Sequence, residues 1–254
     1  MRVAVVCLAV GCAFRPTPVG QAAPNDAHAD ALTSAQIDAP PDALPSDLVA
    51  WYPMDSLPTM IDATGNGHDG SCSACPTLGS GVIGSGYAFA SERFNVPSVP
   101  TLQTGSGTAA AWVVFDTLPT GYACPFGMVY DMPANNDTWQ LCRNAAEWSV
   151  FLHTSASASN ITEIDDPSAI LAGQWHYVAI VWTPNQCALY VDGALGVGSA
   201  ISPLQFDATG PLTVGADTLT NGNIDVPMTG RLDELKIFNR DLSADEIVKL
   251  MQQR

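Results

Sequence analysis

From residue 48 to the C-terminus, short apolar or alternating runs recur at close intervals, each bounded by Gly, Pro, Asn or Asp. Alternation with a period of two, broken by turn formers, is the pattern of half-buried strands in a β-sandwich. It predicts strands at 48–54, 84–90, 109–116, 127–131, 138–142, 148–153, 175–182, 187–191, 212–214 and 230–238. Between Cys187 and Gly196 the chain spells a hairpin. Leu189-Tyr190-Val191 alternates, and Asp192-Gly193 supplies the positive-φ residues of a tight turn. A helical period is convincing only at the end of the chain. There Ser243 and Glu246 have capping-box spacing, Leu242 and Ile247 form a hydrophobic staple, and Ile247, Leu250 and Met251 make one apolar stripe.

The first 47 residues follow neither pattern. Met1 and Arg2 precede an apolar run to Cys12 that is too short to span a bilayer core, which needs about 20 residues, but suits a secretory segment. Its end, Leu8-Ala9-Val10-Gly11-Cys12, resembles the lipobox of bacterial lipoproteins, which implies lipidation of Cys12. Residues 13–47 are rich in Pro, Ala and Asp without periodicity, so they read as a disordered tether that holds a globular domain away from a membrane. The division is therefore 1–12 signal segment, 13–47 tether and 48–254 β-domain.

Composition agrees. Across 254 residues the apolar fraction is 47%, enough for a real core. The acids are 20 Asp and 5 Glu, and Lys236 and Lys249 are the only lysines. Asp concentrates in turns, whereas surface helices use Glu and Lys. The net charge of −16 disfavours nucleic acid and anionic lipid, which both need cationic patches. Contact with a membrane is expected only through the N-terminal lipid.

Six motifs then occur in a set order: Leu48-Val-Ala-Trp-Tyr-Pro-Met-Asp55, Asp62-Ala-Thr-Gly-Asn-Gly-His-Asp-Gly70, Gly84-Ser-Gly-Tyr-Ala-Phe89, Gly173-Gln-Trp-His-Tyr-Val-Ala-Ile180, Leu189-Tyr-Val-Asp-Gly193 and Gly230-Arg-Leu-Asp-Glu-Leu-Lys-Ile-Phe238. Together they resemble the LamG-like, concanavalin A-type jelly-roll family over residues 48–254. The resemblance implies an all-β fold, a two-sheet antiparallel jelly-roll sandwich, with the predicted short C-terminal helix added. It also implies a structural Ca²⁺ on Asp233, with Asp55 and the loop around Asn66 supplying further oxygens. An EF-hand is excluded, because position twelve counted from Asp62 is Ser73 and no helices flank the loop.

Hydrolases of this fold carry paired acids on one strand face. Here Glu163-Ile-Asp165 has Pro167 and Ser168 where a third acid belongs, and it reads as a solvated acidic turn. Motifs of serine hydrolases, zinc proteases and P-loop enzymes are absent from the sequence. His153 and His176 read as structural. Cysteine usage fits export, with Cys124–Cys142 and Cys72–Cys75 the expected disulfides and Cys187 a buried thiol. A ligand cluster is expected around Trp139, with Tyr122, Arg143 and Asn135, because carbohydrate sites stack sugar faces on aromatics beside amides and charges. The functional expectation is a non-enzymatic surface recognition or adhesion module whose partner is a glycan. A protein-binding envelope module and a glycan hydrolase or lyase are the alternatives.

Overall fold

The structure, a computed structural model, describes residues 44–98, 100–131, 136–145, 147–154, 161–206, 210–218 and 222–253. Cys12, most of the tether and Asn135 lie outside the described residues.

The strands in chain order are β1 (Leu48–Tyr52), β2 (Thr77–Ser80), β3 (Ser85–Phe89), β4 (Phe94–Val96), β5 (Gly107–Phe115), β6 (Ala123–Asp131), β7 (Asn136–Arg143) and β8 (Trp148–His153). They continue as β9 (Ile161–Asp166), β10 (His176–Thr183), β11 (Gln186–Val191), β12 (Ala194–Ala200), β13 (Leu212–Val214), β14 (Asp217–Thr218), β15 (Ile224–Asp225) and β16 (Gly230–Phe238). A 3-10 turn covers Pro100–Leu102, and helix α1 (Ala244–Gln252) follows β16.

Two large antiparallel sheets result. One has the order β12-β11-β10-β5-β16-β3-β2 with β1 also on β16, and the other is β4-β13-β6-β7-β8-β9. Along one edge, β16 serves two partners: Gly230–Leu232 pairs with β3, and Leu235–Phe238 with β1. At the junction Glu234 takes φ 55°, and β16 advances three residues where β5 advances two. That bulge re-aims Asp233 and Glu234 at the point where β1 and β3 meet.

Alternate residues of both sheets form one core. Val178, Ile180 and Trp182 of β10 face inward together with Trp139 and Leu141 of β7 and Trp148, Val150 and Leu152 of β8, all fully buried. Each such side chain contributes about 1.5–3 kcal/mol relative to exposure. The outer face of the larger sheet is covered by α1, whose Ile247, Leu250 and Met251 pack with Ala110, Ala179, Val181 and Phe238. The capping box forms as expected: the Ser243 hydroxyl accepts the Glu246 N–H, and the Glu246 carboxylate accepts the Ser243 N–H. The β11–β12 hairpin turns through Asp192 and Gly193, at φ 52° and 79°.

The sequence pattern missed β2, β4, β9, β14, β15 and the part of β12 beyond Gly196, which are short, polar or made of small residues. The largest correction is 161–166, which is strand rather than acidic turn. Six consecutive pairs with β8, from Trp148↔Asp166 to His153↔Ile161, override the weak strand propensity of Glu and Asp. Both expected disulfides form, Cys72–Cys75 and Cys124–Cys142, and Cys187 is a buried free thiol. Two disulfides place the domain in an oxidising, extracytoplasmic setting. Among the described residues no helix is long and apolar enough to cross a membrane.

Candidate functional site

The aromatic cluster expected around Trp139 does not assemble at the surface. Trp139 is fully buried and stacks on Trp182, with ring centroids 5.3 Å apart and planes at 28°. It shares strand parity with Leu141, so the pleat turns it into the core. Arg143 is also buried, its guanidinium 5.8 Å from the Trp148 ring, and burial lowers its pKa despite Asp166 and Glu147 nearby. Neither side chain is placed to touch a ligand. Tyr122 is the described member that stays outside, at 40% exposure.

Tyr122 has partners that chain proximity does not reveal. Its hydroxyl donates to Glu163 Oε1 at 2.7 Å, and its ring meets Phe151 edge to face, with centroids 5.1 Å apart. The bond to Glu163, with burial second, raises the phenol pKa. Next to this pair the Ser149 hydroxyl donates to Asp165 Oδ1 at 2.7 Å. Register explains the convergence. Asn95, Thr213, Gly127, Gln140, Phe151 and Glu163 are successive partners across all six strands of the smaller sheet, on its outer face.

The two halves of this row differ. A Cβ on Gly127 would lie 2.7 Å from Gln140 Cγ, so glycine there lets the Gln140 side chain lie flat along the face toward Asp217. Thr213, Gln140 and Asp217 are buried, and burial raises the Asp217 carboxyl, opposed by Thr218, Gln140 and Arg93. The β8–β9 half is open: Phe151 is half-buried, and Glu163 and Asp165 are exposed. The sequence held one usable signal. In 148–153, Trp148, Val150 and Leu152 take the inward parity, which leaves Phe151 as an aromatic pointing out.

The expected metal residues divide. Asp233 is fully buried beneath the turn between β2 and β3; its Oδ2 accepts the N–H groups of Val82 and Ile83 at 2.7 and 2.9 Å. Its Oδ1 is buried without a partner among the described residues. Asp55 reaches the same turn and accepts the Ser85 N–H at 2.7 Å. A Cβ on Gly84, at φ 59°, would lie 2.5 Å from Asp55 Oδ1, so this approach requires glycine. Burial pushes the Asp233 carboxyl up to about 7 against its two N–H donors, and Glu234 and Asp55 push the same way. Asn66 belongs elsewhere: its amide donates to Val49 O at 2.8 Å. Among the described residues no group of three or more His, Cys, Asp or Glu side chains converges as a metal site. The donor set thus fits a Ca²⁺ only if backbone oxygens complete the two carboxylates.

His176 is structural, its Nδ1 being 2.8 Å from Asp192 Oδ2. Asp192 also accepts the Tyr177 N–H, and these bonds outweigh burial and hold its carboxyl below the usual range.

The family model of the concanavalin A-like lectin/glucanases superfamily matches residues 90–248, more than half the chain. Among solved structures, domain 4 of AbnA, a GH43 extracellular arabinanase from Geobacillus stearothermophilus in complex with arabinotriose, is 19% identical with a TM-score of 0.59. The match covers 81% of this chain and 98% of that one. The binding domain of Paraclostridial Mosquitocidal Protein 1 is 16% identical with a TM-score of 0.64, covering 81% of this chain and 52% of that one. Trypanosoma rangeli sialidase in complex with sialic acid is 16% identical with a TM-score of 0.63, covering 82% of this chain and 33% of that one. Identities this low establish the shared fold. No curated protein matches the chain.

Proposed function

Because the chain belongs to the concanavalin A-like lectin/glucanases superfamily, we propose that it is a non-enzymatic glycan-recognition module. Its ligand lies on the open half of the smaller sheet, over Tyr122 and Phe151. The observation that carries this is the Tyr122–Phe151–Glu163 contact set: an exposed aromatic edge beside a hydrogen-bonded carboxylate offers a stacking surface and polar contacts to a sugar. A glycan array that includes arabinotriose tests it. Binding that is lost in Tyr122→Ala and weakened in Glu163→Gln supports the reading, and binding indifferent to both changes refutes it.

One observation favours a hydrolase as second reading. Glu163 and Asp165 project from the same face of β9, the spacing that puts two carboxyls on one side of a strand. Recognition is preferred because β9 is an edge strand and each carboxylate already accepts a hydroxyl, from Tyr122 or Ser149. Release of reducing ends from an array hit, abolished in Glu163→Gln, would reverse that preference.

The reading includes a structural Ca²⁺ held by Asp55 and Asp233 with backbone oxygens, supported by the unpartnered Asp233 Oδ1. A melting temperature that falls in EDTA for wild type but not for Asp233→Asn is the expected result. The module is exported and anchored by lipid on Cys12. Incorporation of a fatty-acid analogue, absent in Cys12→Ser, tests the anchor.

A further inference from the structure

A cleft of about 380 Å³ opens between β1, the loop after it and the 3-10 turn, and shares no residue with the sheet-face site. Its size lies in the range of small-molecule sites. Its polar wall has fixed directions. Asp62, with its side chain fully buried, accepts the N–H groups of Trp51, Thr64 and His68 and the Thr64 hydroxyl. Burial opposes its charge, but these bonds prevail and hold the carboxyl below its ordinary value.

His68 Nδ1 then faces two acceptors, Val49 O at 3.1 Å and Asp62 Oδ2 at 3.2 Å. In the neutral ring the proton therefore sits on Nδ1, and Nε2 is an acceptor. Nε2 lies 2.8 Å from Thr101 Oγ1, so Thr101 donates its proton inward and turns its lone pairs to the cleft. Asn66 likewise spends an N–H on Val49 O, leaving its amide oxygen free to accept. Ser46, Thr104 and Asn239, which complete the polar lining, can donate or accept, while Leu48 and Val49 supply apolar surface.

No charged side chain lines this cleft, although the protein carries a net charge of −16. Fixed acceptors call for ligand O–H groups, and nothing cationic is present to hold a carboxylate or phosphate. We infer that the cleft is a second saccharide site, for one neutral, polyhydroxylated ring whose hydroxyls donate to Thr101 Oγ1. It rests on the cleft's own chemistry and not on the sheet-face site.

The test is an amide-resolved NMR titration of the purified protein with methyl glycosides of glucose, mannose, xylose and arabinose. Methyl glucuronide and per-O-methylated methyl glucoside serve as matched controls. The expected result is saturable shifts at Asn66, His68 and Thr101 with at least one neutral glycoside. Neither control produces them, since one adds a charge and the other lacks every donor. Thr101→Val should weaken binding about tenfold or more, the loss expected for one hydrogen bond to a fixed acceptor, whereas Thr101→Ser and Tyr122→Ala retain it. Thr101 is exposed, so the valine variant is expected to fold. If it does not, the per-O-methylated probe decides on wild type. Silence at these three amides with all four glycosides overturns the inference. So does equal binding of either control, or unchanged affinity in a folded Thr101→Val protein.

Discussion

A proposed ligand site at Tyr122, with Trp139 in the core, separates two effects that an alanine scan usually confounds. Trp139 has no exposed surface, stacks on Trp182 at 5.3 Å and meets Phe126 edge-on at 6.3 Å. Truncating a buried tryptophan to alanine costs about 3–5 kcal/mol, the sum of lost transfer energy and the cavity left behind. In a domain of this size about 1 kcal/mol shifts the melting temperature by 2–4 °C, so Trp139→Ala should melt about 6–20 °C lower. Tyr122→Ala removes an exposed ring and one surface hydrogen bond, and should cost about 1 kcal/mol or less. The assay is thermal unfolding of both variants, combined with glycan binding measured where each is fully folded. Folded Trp139→Ala should bind as wild type does, and Tyr122→Ala should be stable and lose binding at the sheet face. A Trp139→Ala protein that melts normally but no longer binds would refute the placement of both residues.

Three further outcomes follow from buried groups. The Asp62 carboxyl is held below its ordinary value of 3.8, so its contribution is complete above that pH and is lost as pH falls through its folded value. Asp62→Asn should therefore be less stable at neutral pH and show a shallower acid limb below pH about 4 in pH-dependent melting. Replacing Cys124 and Cys142 by serine opens a loop with a sequence separation of 18. The expected loss is about 3 kcal/mol in urea, and an unchanged midpoint would count against the disulfide as a constraint on the unfolded chain. Cys187 is buried and its thiol is pushed up to about 12 by burial. An aromatic disulfide reagent should therefore label it only at the rate of unfolding; prompt labelling of native protein would contradict that burial.

What the sequence reveals divides by the range of the interaction. The Asp192-Gly193 hairpin and the Ser243–Glu246 cap depend on residues a few positions apart, and both are visible as local text. The strand β16 is visible through its length and its Leu232, Leu235, Ile237 and Phe238, whereas β9 is hidden because Glu163, Asp165 and Asp166 look like a turn until β8 pairs with them. Trp139 is instructive in a different way. Thr138-Trp139-Gln140-Leu141 alternates, and that parity already points the indole inward. Its polar neighbours in sequence suggest a ligand site, but the pleat outweighs them. The Tyr122–Glu163 pair spans 41 positions and depends on a register no local pattern specifies.

The same distinction of range bears on how this face can change. Tyr122, Phe151 and Glu163 are brought together by β6 to β9, consecutive antiparallel strands joined in sequence order. Closure of the larger sheet is the opposite case: Asp233 receives the Val82 N–H from 151 positions away, and β16 must join β5, β3 and β1. Long-range pairing of this kind is slow to form because loop closure precedes its reward. The outward side chains of the β6–β9 meander make no part of the core that joins the sheets. Substitutions at Tyr122, Phe151 or Glu163 therefore alter the proposed recognition face without weakening the closure on which the fold depends. Changes at Asp233 or Gly84 act on the closure itself and leave the ligand chemistry intact. On the proposed reading, specificity is thus free to vary on the most local element of the domain, which is where the open aromatic edge lies.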